Sequence, residues 1–223
     1  MPIIPALIIV TSLFIFTLSI WIVFDNGTDK LRNKSEWNSP GAAGERKLYL
    51  DLIDKYNIPS EQILRNVYIP KKNGQTSEID LLIISKKAIF VFECKNYAGN
   101  IYGDAKKDKW VQYLGKKKSY FYNPLLQNKS HVSALKIYLE EFGMLPVIPM
   151  VTTISRGKWN IRNLGPADYF LGHNCHFKDI LTNTPSSIKM EMFQERIIKK
   201  LAPLSRPDEE IKKKHIEQIR NRN

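Results

Sequence analysis

The chain has 223 residues, enough for one compact domain with a small appendage. Lys and Arg outnumber Asp and Glu by 34 to 22, a net charge of +12 that favours polyanionic partners, nucleic acid or anionic lipid, over a merely soluble basic surface. The two cysteines, Cys94 and Cys175, exclude a disulfide framework or a zinc pattern and fit a reducing compartment.

In chain order, Ile3 to Phe24 contains no charged residue and is almost wholly aliphatic, aromatic or small. As a helix it would span ~33 Å at ~1.5 Å per residue, enough to cross a ~30 Å hydrocarbon core. A secretory signal would be shorter and would follow a basic segment, so residues 1–24 are expected to form an uncleaved transmembrane anchor. Lys30, Arg32 and Lys34 follow it and predict a single-pass protein with its C-terminal side in the cytoplasm. Residues 25–40 are polar and read as a linker.

A helix is expected from Ala42 to Tyr56, with Leu48, Tyr49, Leu52 and Tyr56 on its apolar face and Pro59 as its stop. Three strands follow: Asn66–Pro70, Glu78–Ser85 and Ala88–Asn96. The last two are apolar on both faces, as in the middle of a covered sheet. Helical periodicity returns from Pro124 to Phe142, and Pro146–Ile154 reads as a buried strand. Two more helices are expected from Ser187, divided by Pro203 and Pro207. The order helix, three-stranded meander, helix, strand, then helical tail defines an α/β class. The expected division is an anchor at 1–24, a linker at 25–40, a domain at 41–154 and a C-terminal extension at 155–223. His173-Asn174-Cys175-His176 has no second ligand pair elsewhere and reads as an ordinary loop.

If Lys86-Lys87 forms a two-residue loop, Ser85 faces Ala88 and the same register brings Asp80 opposite Glu93. Carboxylates so opposed repel, and burial raises the cost; a divalent cation, Mg²⁺ or Mn²⁺, would resolve the conflict. Alternation puts Lys95 on the face of Glu93. There it would orient or deprotonate a water or stabilise developing phosphoryl charge; a simple Lys95–carboxylate ion pair is the plainer alternative. Lys-Lys is a poor choice for a primed hairpin turn, which prefers Asn or Gly. Glu45 heads the apolar stripe of the first helix, either as part of this carboxylate group or as a first-turn acid complementing the helix dipole.

Lys106, Lys107, Lys109, Lys116, Lys117 and Lys118, with Trp110 among them, form a candidate nucleic-acid surface of phosphate-neutralising cations and base-stacking rings. A solvated loop with its aromatics turned inward, or one contacting anionic lipid, are the alternatives. Asn123, Gln127 and His131, spaced by four, are expected on one helical face lining the same cleft, or as a merely polar outer face.

The combination Gly44-Glu45, Glu78-Ile79-Asp80-Leu81-Leu82 and Glu93-Cys94-Lys95-Asn96-Tyr97, with Gly99, Gly103, Asn123-Pro124, Gln127 and His131, resembles the nuclease-related (NERD) domain of the PD-(D/E)XK nuclease superfamily. The resemblance covers roughly Ser39 to Leu145. It implies a restriction-endonuclease-like core, catalytic positions at Glu45, Asp80, Glu93 and Lys95, and in many members an N-terminal transmembrane helix. The expected function is hydrolysis of phosphodiester bonds in DNA with Mg²⁺ or Mn²⁺ and no small-molecule cofactor. A non-catalytic nucleic-acid-binding module on the same fold is the alternative.

Overall fold

The computed structural model describes residues 40–154, 157–171, 177–206 and 209–220. The expected membrane span, nearly all of the linker and the His173–His176 segment lie outside the described residues. Among the described residues, no helix is long and apolar enough to cross a membrane.

Helix α1 (Pro40–Asp54) turns Leu48, Tyr49 and Leu52 inward, the stripe that its spacing predicts. It ends before Tyr56, where Asn57 takes φ 54° and turns the chain; the stop is this left-handed asparagine, two residues ahead of Pro59. Strands β1 (Ile63–Pro70), β2 (Thr76–Ile84) and β3 (Ile89–Lys95) form an antiparallel meander. Beyond it come β4 (Asn100–Asp104), β5 (Lys109–Leu114) and β6 (Lys117–Tyr122). Helix α2 (Pro124–Tyr138) crosses back, so β7 (Val147–Thr153) lies parallel to β3. The remaining elements are β8 (Lys158–Arg162), β9 (Tyr169–Leu171), α3 (Phe177–Asn183), α4 (Ile188–Leu201) and α5 (Glu209–Arg220).

The main sheet has the order β1-β2-β3-β7-β9 and is covered on both faces. On one side Ile79, Leu82, Ile84, Ile89 and Val91 pack against α2 and α4 through Val132, Leu135, Met190 and Ile197. On the other, Leu81, Ile83, Phe90 and Phe92 pack against α1 and α3 through Leu52 and Phe177. The result is a three-layer α/β/α arrangement, which explains why the central strands are apolar on both faces. Burying each such Leu, Ile or Phe contributes roughly 1.5–3 kcal/mol.

The β2–β3 turn shows how Lys-Lys is accommodated. Among the described residues neither Lys86 nor Lys87 has positive φ. The Ser85 hydroxyl oxygen instead accepts from the backbone N–H groups of Lys87 and Ala88, both at 3.1 Å. The Lys87 ammonium donates to the carbonyls of Leu181 and Thr182 at the end of α3. The register is the one expected, Ile84 with Ile89 through Leu81 with Phe92.

Two features depart from the sequence reading. The basic stretch between Gly103 and Pro124 is the β5–β6 hairpin, part of a second sheet ordered β6-β5-β4-β8. Its alternating apolar positions, Trp110 and Phe121, pack with Ile101, Trp159 and Ile161. The chain after residue 154 also adds strands: β8 pairs with β4 and β9 with β7.

Side-chain alternation slips at one level of the main sheet. Ile79 faces the same core cluster as Leu82, and Val67 the same as Leu64. A three-residue separation on one face requires one residue in each strand to leave the alternation. Those residues are Asn66 and Asp80, which fall opposite each other between the pairs Arg65–Leu81 and Val67–Ile79. Asn66 has φ 46°, a left-handed conformation that asparagine tolerates better than other side chains.

Candidate active site

The candidate site forms where the meander opens. Pairing of β2 with β3 stops at Leu81–Phe92, one pair short of Asp80 and Glu93. Beyond that point Asp80 Oδ2 accepts the backbone N–H of Cys94 at 2.7 Å. The carboxylate thus takes up a donor that the ladder no longer satisfies, and Asp80 is held at the fork between two strands.

Glu93 is 1% exposed, and its two oxygens have different neighbours. Oε1 pairs with the Lys95 ammonium at 2.6 Å, and Lys95 also donates to Gln127 Oε1 at 3.1 Å. Oε2 lies 3.2 Å from His131 Nε2, a charge-pair distance, but the two atoms are out of line for a hydrogen bond and both are buried. His131 is fixed from behind, its Nδ1 2.8 Å from Ser77 Oγ. Lys95 and Glu93 share a face, as their spacing requires, and Gln127 and His131 reach that face from α2.

Glu45 enters from α1. Gly44 allows the approach: a Cβ there would lie 3.2 Å from the Asn96 side chain at the end of β3. Asn66, in the left-handed kink of β1, donates its side-chain amide to Glu45 Oε2 at 3.1 Å. The kink is itself pinned, its carbonyl accepting from the Arg206 N–H at 3.0 Å.

The electrostatics are those of an incompletely neutralised acidic group. Burial pushes the Asp80 carboxyl well above its usual range, and the nearby charges of Glu93 and Glu45 push the same way. Burial also raises Glu45, with the Asn66 hydrogen bond only partly opposing it. Burial alone would raise Glu93 too, but His131 and Lys95 outweigh it and hold this carboxyl below the ordinary value. Burial disfavours the Lys95 charge, yet Glu93 and Asp80 more than compensate, so Lys95 stays protonated above its normal range.

The donor chemistry fits a hard divalent cation: carboxylates from three elements, Glu93 buried and Asp80 and Glu45 half-buried, with Asp80 feeling repulsion from both others. Among the described residues, no three His, Cys, Asp or Glu side chains already converge on one point. Each acid is instead engaged locally, Asp80 by Cys94, Glu93 by Lys95 and Glu45 by Asn66. Mg²⁺ commonly takes one or two carboxylates and completes its shell with water and substrate phosphate, so a complete protein cage is not required.

Two expected site residues lie elsewhere. Asn123 does not line this cleft. It is fully buried and caps α2, its Oδ1 accepting the Leu125 N–H at 2.9 Å while its amide donates to the carbonyls of Ala105 and Lys107 at 3.2 and 2.8 Å. As an N-cap it has extended backbone, φ −61° and ψ 114°, so helical four-residue spacing does not carry its side chain to the face of Gln127. Trp110 is not a stacking platform. It is 0% exposed in the core of the second sheet, its indole N–H bonded to the Asp104 carbonyl at 3.0 Å, and the absent side chain of Gly103 leaves room for it. Lys106, Lys107, Lys109, Lys116, Lys117 and Lys118 are exposed on the hairpin and the turn that precedes it.

Asn66, Ser77 and Asn128 were missed as positioning residues. Asn128 donates to the carbonyls of Val91 and Met150, tying β3 to β7 beside Pro149, which brings no N–H to the ladder. Asn66, beside the apolar run Val67–Ile69, offered a signal as a polar residue in a strand; Ser77 and Asn128 stand among polar neighbours and offered none.

The nuclease-related domain profile matches residues 40–154. An uncharacterized protein of Bacillus anthracis is 30% identical over 185 residues, 82% of this chain and 84% of that relative. With Glu45, Asp80, Glu93 and Lys95 all inside the matched span, the chain belongs to the nuclease-related domain family.

Proposed function

We propose that the chain is a metal-dependent phosphodiesterase acting on nucleic acid, DNA in the first instance, on a restriction-endonuclease-like core held at the cytoplasmic face of a membrane by residues 3–24. The observation that carries this reading is the meeting of Asp80, Glu93 and Lys95 at the β2–β3 fork, with Asp80 raised by burial and by two neighbouring carboxylates. A structural ion pair needs one acid and one base; a second and third acid half-buried beside it are a cost without a cation.

Asp80 and Glu93 would hold Mg²⁺ or Mn²⁺, with Glu45 completing the set. When bound, such an ion supplies Lewis-acid polarisation of a phosphoryl oxygen and lowers the pKa of a bound water. The protein's own groups do the positioning. Lys95, kept charged by Glu93 and Asp80, is suited to stabilising phosphoryl negative charge rather than to removing a proton. Gln127 fixes the ammonium, and Ser77 fixes the His131 ring beside the second oxygen of Glu93.

The test is cleavage of plasmid and single-stranded DNA by the purified full chain with Mg²⁺ or Mn²⁺. Asp80→Asn and Lys95→Ala should each reduce turnover by at least roughly a hundredfold, the scale on which a lost transition-state donor is felt. Equal cleavage by wild type and variants would overturn the reading. The engagement of every carboxylate by a local partner favours one alternative, a nucleic-acid-binding module without turnover. Salt-dependent DNA binding that survives Asp80→Asn, with no cleavage by the wild type, would select it.

A further inference from the structure

The second sheet has one buried face and one open one. Trp110, Phe121 and Trp159 fill the buried face. The register assigns the alternate residues to the other: Tyr102 lies beside Val111, which lies beside Tyr120, and Lys109 lies beside Tyr122. Tyr120, Tyr122 and Tyr102 are 61%, 52% and 50% exposed. Contiguous aromatic surface of this kind on one face marks a binding site more often than a bare exterior.

The charge of this face is one-sided. Among its described strand residues Lys109, Lys118, Lys158 and Arg162 are basic and exposed, and Asp104 alone is acidic. Asp104 is already engaged, accepting the Lys106 N–H and the Asn163 amide. Lys118 lies over the rings of Tyr120 and Tyr113 at 5.1 and 5.8 Å, and Tyr102 meets Tyr113 edge to face at 5.7 Å. Cations and phenol rings therefore interleave across neighbouring strands.

We infer that the outward face of the β8-β4-β5-β6 sheet binds single-stranded nucleic acid, stacking unpaired bases on Tyr102, Tyr120 and Tyr122 and neutralising phosphates with Lys118, Lys158 and Arg162. A duplex keeps its base faces stacked inside, out of reach of the tyrosine rings, so splayed bases are what this surface can stack. A membrane face would carry large aliphatic residues and tryptophan, whereas Leu114, at the hairpin tip, is the exposed large aliphatic residue of this hairpin. The inference rests on the nucleic-acid reading above for the class of partner, but not on catalysis.

The test is fluorescence anisotropy of a labelled short oligo(dT) with the purified full chain in EDTA, where turnover is suppressed and binding alone is read. The wild type should bind with marked salt dependence. Tyr120→Ala with Tyr122→Ala should weaken binding roughly tenfold or more, while the Tyr→Phe pair, which keeps the ring faces, should bind within about twofold of wild type. Lys118→Ala should lower the salt slope by about one. These side chains are exposed, so the variants should melt as the wild type does, and binding to a blunt duplex should not respond to the tyrosine changes. Oligonucleotide binding by the alanine pair equal to wild type would overturn the inference. So would a wild type that sediments with anionic vesicles yet leaves oligo(dT) free. Failure here leaves DNA cleavage at Asp80 and Glu93 untouched, and absence of cleavage leaves this binding measurable.

Discussion

Replacing Asn123 with alanine separates a structural from a catalytic role for this residue. The side chain caps α2 through Leu125 and supplies the donor for two carbonyls of the Ala105–Lys107 turn. Loss of an N-cap costs roughly 0.5–2 kcal/mol. Carbonyls left buried without a donor add about 1–3 kcal/mol, so the total is about 1.5–5 kcal/mol. For a chain of this size each kcal/mol lowers the melting temperature by about 2–4 °C, giving a fall of roughly 3–20 °C by circular dichroism or calorimetry. Asn123→Asp keeps the cap oxygen but loses both donors and buries a charge, so it should fall at least as far. Below their transitions both variants should cleave DNA as the wild type does. Wild-type melting combined with lost cleavage would refute this reasoning and return Asn123 to the cleft.

Metal-free Asp80→Asn should melt above the metal-free wild type at neutral pH. Burial and the neighbouring carboxylates raise Asp80 in the folded state, so ionisation costs stability increasingly as pH rises above the unfolded carboxyl value; the advantage of the variant should vanish on acidification towards that value, as thermal melts in EDTA across pH would reveal. Trp110→Ala should cost about 3–5 kcal/mol in denaturant unfolding, with the loss seated in the second sheet. Asn66→Gly and Asn66→Val both free Glu45 and should reduce cleavage alike. The valine variant alone should carry an extra backbone cost of about 1–3 kcal/mol, because glycine accepts φ 46° and valine does not.

The meander was legible because its apolar runs are long and their register is fixed by a short turn; even the unfavourable Lys86-Lys87 did not shift it, since Ser85 supplies the missing acceptor. Glu45 was legible from its place on a helical stripe, and Glu93 with Lys95 from simple alternation. The second sheet was not. Its strands carry five or six residues each, and β5 and β6 open on lysine, so charge masked the alternation of Trp110 and Phe121 around Gly115. Nor could sequence show that Asp80 and Asn66 leave the alternation together, because a left-handed asparagine in mid-strand has no local signature and is imposed by packing on both sides of it. The reading of Asp80 as a cross-strand neighbour on a continuous ladder is thereby replaced by a fork, in which its carboxylate bonds the Cys94 backbone.

The most direct measurement is anomalous diffraction from crystals of the full chain or its complex grown in Mn²⁺. The account predicts a peak about 2.0–2.2 Å from carboxyl oxygens of both Asp80 and Glu93, with Glu45 bound directly or through water, and its loss in Asp80→Asn. Saturating Mn²⁺ that leaves the fork empty and the 2.6 Å Lys95–Glu93 pair undisturbed would contradict it.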